Sequence, residues 1–289
     1  MMSKRVILVI LDGLRFDVAH SSMGYLGHLI ETAQASFYRV QAELPTLSRP
    51  LYEVLLTGTP VSINGIGAND VVRLSHQQSV FHQAIQAGLT TAAAAYAWFS
   101  ELYNRCPFEP WRDRDQHSPH SPIQHGRFYW EDNYPDSHLF ADAEMLRQAH
   151  EPDFMLVHSM GIDHAGHCYG SDTKEYRGSA LGADSLLSHY VPRWRAAGYT
   201  LLITADHGMN ADGQHGGILP DVRDVPLFLV GSHVELEETQ LPVSQLAIAP
   251  LICQLLGISP AKAMRSVIIP DPLKQLSLSS HSATAPLSA

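Results

Sequence analysis

Thr204-Ala-Asp-His-Gly-Met-Asn-Ala-Asp-Gly-Gln-His-Gly-Gly217 closes an apolar run, Tyr199 to Ala205, that reads as a buried strand. The run stops at Asp206-His207-Gly208, and a second imidazole, His215, follows in a glycine-rich loop. A carboxylate and an imidazole together at a strand end suit a divalent metal. At a strand tip, adjacent side chains leave the sheet's alternation and can converge. Glycines there let backbone approach an ion with no Cβ in the way.

Three other places in the chain match this one. Val6 to Leu11 is an apolar strand ending at Asp12-Gly13. Phe154 to His158 is another, feeding Asp163 and, four residues on, His167. Between them, Pro45-Thr-Leu-Ser48-Arg49-Pro50 runs into Leu55-Leu56-Thr57-Gly58 and places a hydroxyl where an extended segment turns into a helix. Open α/β sheets bind ligands at the carboxyl ends of their strands, so all four elements can share one crevice. Taken singly, each has a structural alternative. Asp12 and Ser48 suit helix N-caps, Asp163 and His167 a polar loop, and His215 the surface of a chain with 17 histidines. Their joint order at successive strand ends favours a site.

That ordered set resembles the alkaline phosphatase superfamily, and within it the nucleotide pyrophosphatase/phosphodiesterase branch and the catalytic domains of GPI ethanolamine-phosphate transferases. The likeness runs from about Val6 to about Ile258. It rests on Pro45 to Pro50, Thr57-Gly58, Gly65-Ile66 with Asn69, Asp163-His-Ala-Gly166-His167, Asp206-His207-Gly208-Met209, His215-Gly216-Gly217, and Leu246 to Pro250 running on to Ile258. The resemblance implies two divalent metal sites: Asp163, His167 and His215 for the first, and Asp12, Asp206 and His207 with the Ser48 oxygen for the second. It implies Ser48 as nucleophile and Asn69 as donor to a phosphoryl oxygen. Arg49, beside the nucleophile, either serves the phosphate or points to solvent.

The residue types fit that chemistry. A serine hydroxyl is a poor nucleophile at neutral pH, and a divalent cation lowers its pKa. Fixed cations and donors stabilise the charge spread over phosphoryl oxygens. Mixed Asp/His shells suit zinc, and manganese accepts them too. Some positions depart from the related families. Sulfatases carry Arg four residues after the nucleophile, and Tyr52 stands there. Many phosphodiesterases use Thr with Asn three residues later, where this chain has Ser48 and Leu51. The His that usually precedes Gly-Ile is Asn64.

The expected activity is two-metal hydrolysis of phosphodiesters or phosphomonoesters through a phosphoseryl intermediate, on a small phosphorylated substrate. Carbon–phosphorus bond hydrolysis of the phosphonoacetate hydrolase type is the enzyme alternative. A non-catalytic metal-binding protein of the same fold is the other. Nothing in the chain suggests the large cap of cofactor-independent phosphoglycerate mutase.

A net charge of −10 over 289 residues argues against a nucleic-acid-coating surface. Cys106, Cys168 and Cys253 are too few and scattered for a disulfide framework, although Cys168 directly follows His167. Lys4-Arg5 precede an apolar run too short for a signal peptide, and no stretch approaches a membrane span. These features are those expected of a soluble cytoplasmic protein.

Helical and extended patterns alternate, which implies an α/β fold with a mostly parallel central sheet and helices on both faces. Residues 1–276 are expected as one catalytic domain and 277–289 as a disordered tail. A helix over 173–197 should break near Pro192. Residues 101–134, rich in Trp, Tyr, Pro and His, read either as an irregular lid or as a surface segment packed on the core. Trp111, Arg114, Tyr129 and Trp130 are its candidate substrate contacts.

Overall fold

A computed structural model describes residues 4–231 and 242–265. The expected tail, 277–289, lies outside the described residues. Among the described residues, nine strands form one sheet: β1 (Arg5–Leu11), β2 (Ala35–Gln41), β3 (Thr91–Tyr96), β4 (Asp115–His117), β5 (His125–Tyr129), β6 (Phe154–Ser159), β7 (Tyr199–Thr204), β8 (Asp224–Val230) and β9 (Val243–Ser244). Their order across the sheet is β4-β5-β3-β6-β1-β7-β8-β2-β9. β4 and β8 run against the others, so the sheet is mostly parallel, as the alternating pattern predicts.

The central strands are apolar along their whole length because helices cover both faces. Val6 to Leu11 and Phe154 to Val157 are buried throughout. β3 is instructive, since Ala92 to Ala95 have high intrinsic helix propensity. Its hydrogen bonds to β5 and β6 on either side override that preference. β8 reads as an ordinary core strand in sequence, yet it pairs antiparallel with both β7 and β2.

Two expectations are corrected. The helix Lys174–Ala196 continues through Pro192 without a break. Proline removes one N–H and crowds the carbonyl four residues back. Val191 and Trp194, fully buried on either side of it, hold both halves to the core. The 101–134 segment is not irregular throughout, because it supplies β4 and β5 and thereby one edge of the sheet. Short strands of three and five residues with mixed polarity carry little period-2 signal. Among the described residues, no helix is long and apolar enough to cross a membrane.

Candidate metal centre and nucleophile

β6, β1 and β7 lie side by side, with Leu11 opposite Ser159 and Ile10 opposite Thr204. The chain therefore leaves all three at one edge. Asp12 follows β1 directly, and its N–H donates to the Ser159 carbonyl at 2.9 Å. Asp206 follows β7 by two residues. Asp163 lies in the first turn of the helix Gly161–Tyr169, and His167 is one turn further on the same face. Gly13, at φ +74°, lets the β1 exit run against that helix. A Cβ there would stand 2.8 Å from the Asp163 Cα. Ser48 opens the helix Ser48–Thr57 after β2. Neither Ser48 nor Asp12 acts as an N-cap: Leu47 holds the cap position, with no side-chain hydrogen bond.

Two clusters result. In the first, the His167 and His215 Nε2 atoms are 3.1 Å apart, and they stand 3.4 and 3.8 Å from Asp163 carboxylate oxygens. In the second, His207 Nε2 is 3.2 Å from Asp206 Oδ2, 3.5 Å from Asp12 Oδ1 and 3.1 Å from Ser48 Oγ. Within each trio, Asp163/His167/His215 and Asp12/Asp206/His207, the potential ligand atoms all lie within 4.8 Å of one another. The rings of His207 and His215 stack at 3.9 Å, so the clusters adjoin.

The donor chemistry fits two cations. His167 Nδ1 is 2.8 Å from the Gly213 carbonyl, His215 Nδ1 2.8 Å from that of Thr46, and His207 Nδ1 2.9 Å from that of Gly208. A carbonyl only accepts, so each Nδ1 carries the proton and each Nε2 presents a lone pair. Backbone carbonyls on the distal nitrogen orient metal-ligating histidines in this way. Two lone pairs 3.1 Å apart repel unless a cation lies between them. Asp12 Oδ1, Asp163 Oδ1 and Asp206 Oδ2 are buried with no hydrogen-bond partner. Such orphaned acceptors are costly unless they coordinate.

Electrostatics agree. Burial, with the Asp206 and Asp163 charges beside it, pushes the Asp12 carboxyl well up from its ordinary value. Burial, then Asp206, does the same to Asp163. Burial raises Asp206 to about 6. His207 and His215 are pushed down to about 3, chiefly by burial, so both stay neutral ligands at neutral pH.

Two contributors escape a motif-based reading. Tyr52 Oη donates a short hydrogen bond to Asp12 Oδ2, and His158 Nε2–H donates to the same oxygen at 3.0 Å. Together they aim Oδ1 at the second cluster. Tyr52 stands one helical turn after Ser48, and His158 is a lone imidazole in an apolar strand. Those placements are their only sequence signal. His158 is itself held down to about 3 by burial, so it is a neutral donor.

Asn69 is held against Arg49, the residue after Ser48. Its Oδ1 accepts the Arg49 N–H at 3.1 Å, and its carbonyl accepts Arg49 Nε at 2.8 Å. Its Oδ1 and its carbonyl are thereby both engaged by the residue that follows Ser48. Arg49 does not point to solvent. It is 1 % exposed, paired with Glu101 at 2.7 Å and stacked 4.4 Å over Trp98. Its Nη1 is a buried donor with no partner among the described residues. Asn64, in place of the family His, shapes the preceding turn by bonding the Thr59 carbonyl and the Ile66 N–H.

The aromatic candidates of 101–134 divide. Tyr129 is buried and donates to the His158 carbonyl at 2.9 Å, so it supports the site from behind. Trp111 is 86 % exposed, and Arg114 stacks over the partly exposed Trp130 at 5.8 Å. Cys168 is exposed and lies 3.8 Å from His164, outside the first cluster.

Residues 6–218 match the model of the type I phosphodiesterase / nucleotide pyrophosphatase family. Among curated relatives, the human GPI ethanolamine phosphate transferase 3 catalytic subunit is 27 % identical over 88 % of this chain and 24 % of its own length. The Saccharomyces cerevisiae GPI ethanolamine phosphate transferase 3 is 27 % identical over 78 % of this chain and 23 % of its own. The chain thus spans about a quarter of the length of these relatives. Murine ectonucleotide pyrophosphatase/phosphodiesterase 5 superposes with a TM-score of 0.69 at 13 % identity, covering 89 % of this chain and 96 % of that one. The alkaline phosphatase PafA superposes at 0.64 and 11 % identity, covering 92 % and 98 %. The C-terminal periplasmic domain of EptC from Escherichia coli gives 0.64 at 12 %, covering 94 % and 91 %. These likenesses show an alkaline phosphatase-like fold, and the extent of the family match establishes that the chain belongs to the type I phosphodiesterase / nucleotide pyrophosphatase family.

Proposed function

We propose that this protein is a phosphoryl-transfer enzyme dependent on two divalent cations, zinc or manganese, that cleaves phosphodiesters or phosphomonoesters of small substrates. One observation carries the reading. Three buried, unpartnered carboxylate oxygens and three imidazole lone pairs gather in two adjoining trios, and His207 of the second lies 3.1 Å from the Ser48 hydroxyl.

Asp163, His167 and His215 would hold one cation, and Asp12, Asp206 and His207 the other. When bound, the cations supply the positive charge that lowers the pKa of the attacking hydroxyl and offsets charge building on the phosphoryl oxygens. Ser48 Oγ attacks phosphorus, the bond to the leaving oxygen breaks, and a phosphoseryl species forms. Asn69 Nδ2 donates to a phosphoryl oxygen, and its orientation is fixed by the Arg49 backbone. Arg49 Nη1, a buried donor without a partner among the described residues, is the second donor proposed for the phosphoryl group. Tyr52 and His158 keep Asp12 aimed.

A second reading concerns how that species is resolved. The matched relatives are named ethanolamine phosphate transferases over most of this chain, which supports transfer to an alcohol in place of water. The test is a panel of para-nitrophenyl phosphate, bis-para-nitrophenyl phosphate, nucleotide diesters and phosphonoacetate. It is run with zinc and with manganese, with and without a simple alcohol acceptor. Metal-dependent release from an ester that is lost in Ser48→Ala supports the reading, and partition into the alcohol product identifies a transferase. Cleavage of phosphonoacetate alone, or turnover that survives Ser48→Ala, overturns it.

A further inference from the structure

A third ligand cluster stands apart from the proposed centre. His117 ends β4 and His125 begins β5, and the antiparallel register sets them directly opposite each other. Cross-strand partners project on the same face. Their Nδ1 atoms are 3.1 Å apart. His150 is the last residue of the helix Asp136–His150, and its ring stacks on His125 at 3.6 Å. The potential ligand nitrogens of all three lie within 4.8 Å of one another. His125 pairs with Ala92 at the start of β3, so the cluster sits at the amino ends of these strands. Asp12 and Asp206 leave the carboxyl ends of β1 and β7.

We propose that His117, His125 and His150 form a separate binding site for a borderline divalent cation of the zinc class, which pins the β4–β5 edge to the helix Asp136–His150. Three imidazoles without a carboxylate or thiolate suit zinc, copper or nickel over magnesium or calcium. A 3.1 Å gap between two nitrogens fits adjacent ligands on one ion at metal–nitrogen distances of about 2.0–2.1 Å. The C-terminal end of a helix carries partial negative charge that favours a cation beside His150. His117 is exposed and His125 and His150 are half-buried, so an ion enters from solvent and keeps outer positions open. Coordination requires the parallel His125–His150 stack to open by rotation of the rings about χ2. The gain falls on β4, the last strand at this end of the sheet, whose outer edge has no strand partner among the described residues.

Zinc binding by the full chain, measured by equilibrium dialysis with metal analysis and by imidazole nitrogen resonances, tests this. The wild type should bind one equivalent more than His117→Ala. That equivalent should weaken by about a hundredfold or more, since loss of even an outer-shell partner costs about 10–100-fold. His150→Gln should act alike, and both variants should melt below the zinc-loaded wild type but level with it when all are in chelator, with phosphoester turnover unchanged. Asp206→Asn should lower binding at the phosphoester centre and leave this equivalent intact, so failure of either site is told from failure of the other. Equal stoichiometry and affinity in wild type and both histidine variants, or imidazole resonances of the three that ignore zinc, would overturn the proposal.

Discussion

Ser48, Asn69 and Asp12 carry separable burdens at the residue scale. Ser48→Ala should remove turnover while the protein keeps its fold and its metal, because among the described residues the hydroxyl bonds only His207; a burst-phase assay and metal analysis read both. Asn69→Ala should lower kcat about 10²–10³-fold, the cost of one donor to developing negative charge, with metal content unchanged. Tyr52→Phe and His158→Phe should act through Asp12. Each removes a donor to Oδ2 and should weaken metal affinity at the second cluster by about 10–100-fold. Competition with a coloured chelator measures this, and wild-type affinity in both variants would show that Asp12 needs no orientation. Asp12, Asp163, His167, Asp206, His207 and His215 were legible because each follows a recognisable apolar strand in a fixed order. Tyr52 and His158 were not, since a tyrosine in a helix and a histidine in a strand gain meaning only from what they touch.

The helix Ser48–Thr57 links catalysis to stability at the scale of the element. Its first residue is Ser48, the proposed nucleophile, and every residue in it is buried. Glu53 lies in its middle, accepting hydrogen bonds from Ser75 and from Tyr103 at 2.8 Å. Burial raises its carboxyl from an ordinary 4.5 to about 7. The folded state therefore binds more protons than the unfolded state between those values. Stability from this group is fully present below about 4.5 and falls as pH rises through about 7, by up to ~3 kcal/mol. Glu53→Gln should flatten that slope in denaturant titrations across the window; parallel curves for the two proteins would rule Glu53 out as its source. Elements were read unevenly from sequence. β1, β6 and β7 show their burial as unbroken apolar runs. β4 and β5 lie at or next to a sheet edge, where polar residues such as Asp115 and His125 are tolerated and the pattern fades. The helix through Pro192 shows packing outweighing a local breaker.

For the whole molecule, the proposed centre makes stability depend on metal. Asp12, Asp163 and Asp206 come from three distant segments and meet in a buried space. Without cations, their mutual repulsion and lost hydration oppose folding. Chelation should lower Tm by several degrees, and free metal at a hundred times Kd should restore about 2.7 kcal/mol per site. Differential scanning fluorimetry reads this, and Ser48→Ala should respond like the wild type. A Tm indifferent to chelator and to added zinc or manganese would separate the fold from its metals. By itself the sequence determined the fold class, the family and which residues gather in the two proposed clusters, because hydrophobic periodicity and motif order are local and one-dimensional. Only the tertiary structure decided that Arg49 turns inward onto Glu101 and Trp98, that Tyr52 and His158 share one oxygen of Asp12, and that three histidines meet across β4, β5 and a helix end. Those are contacts between residues far apart in the chain, and their distances are set by how layers pack, which no spacing along a sequence encodes.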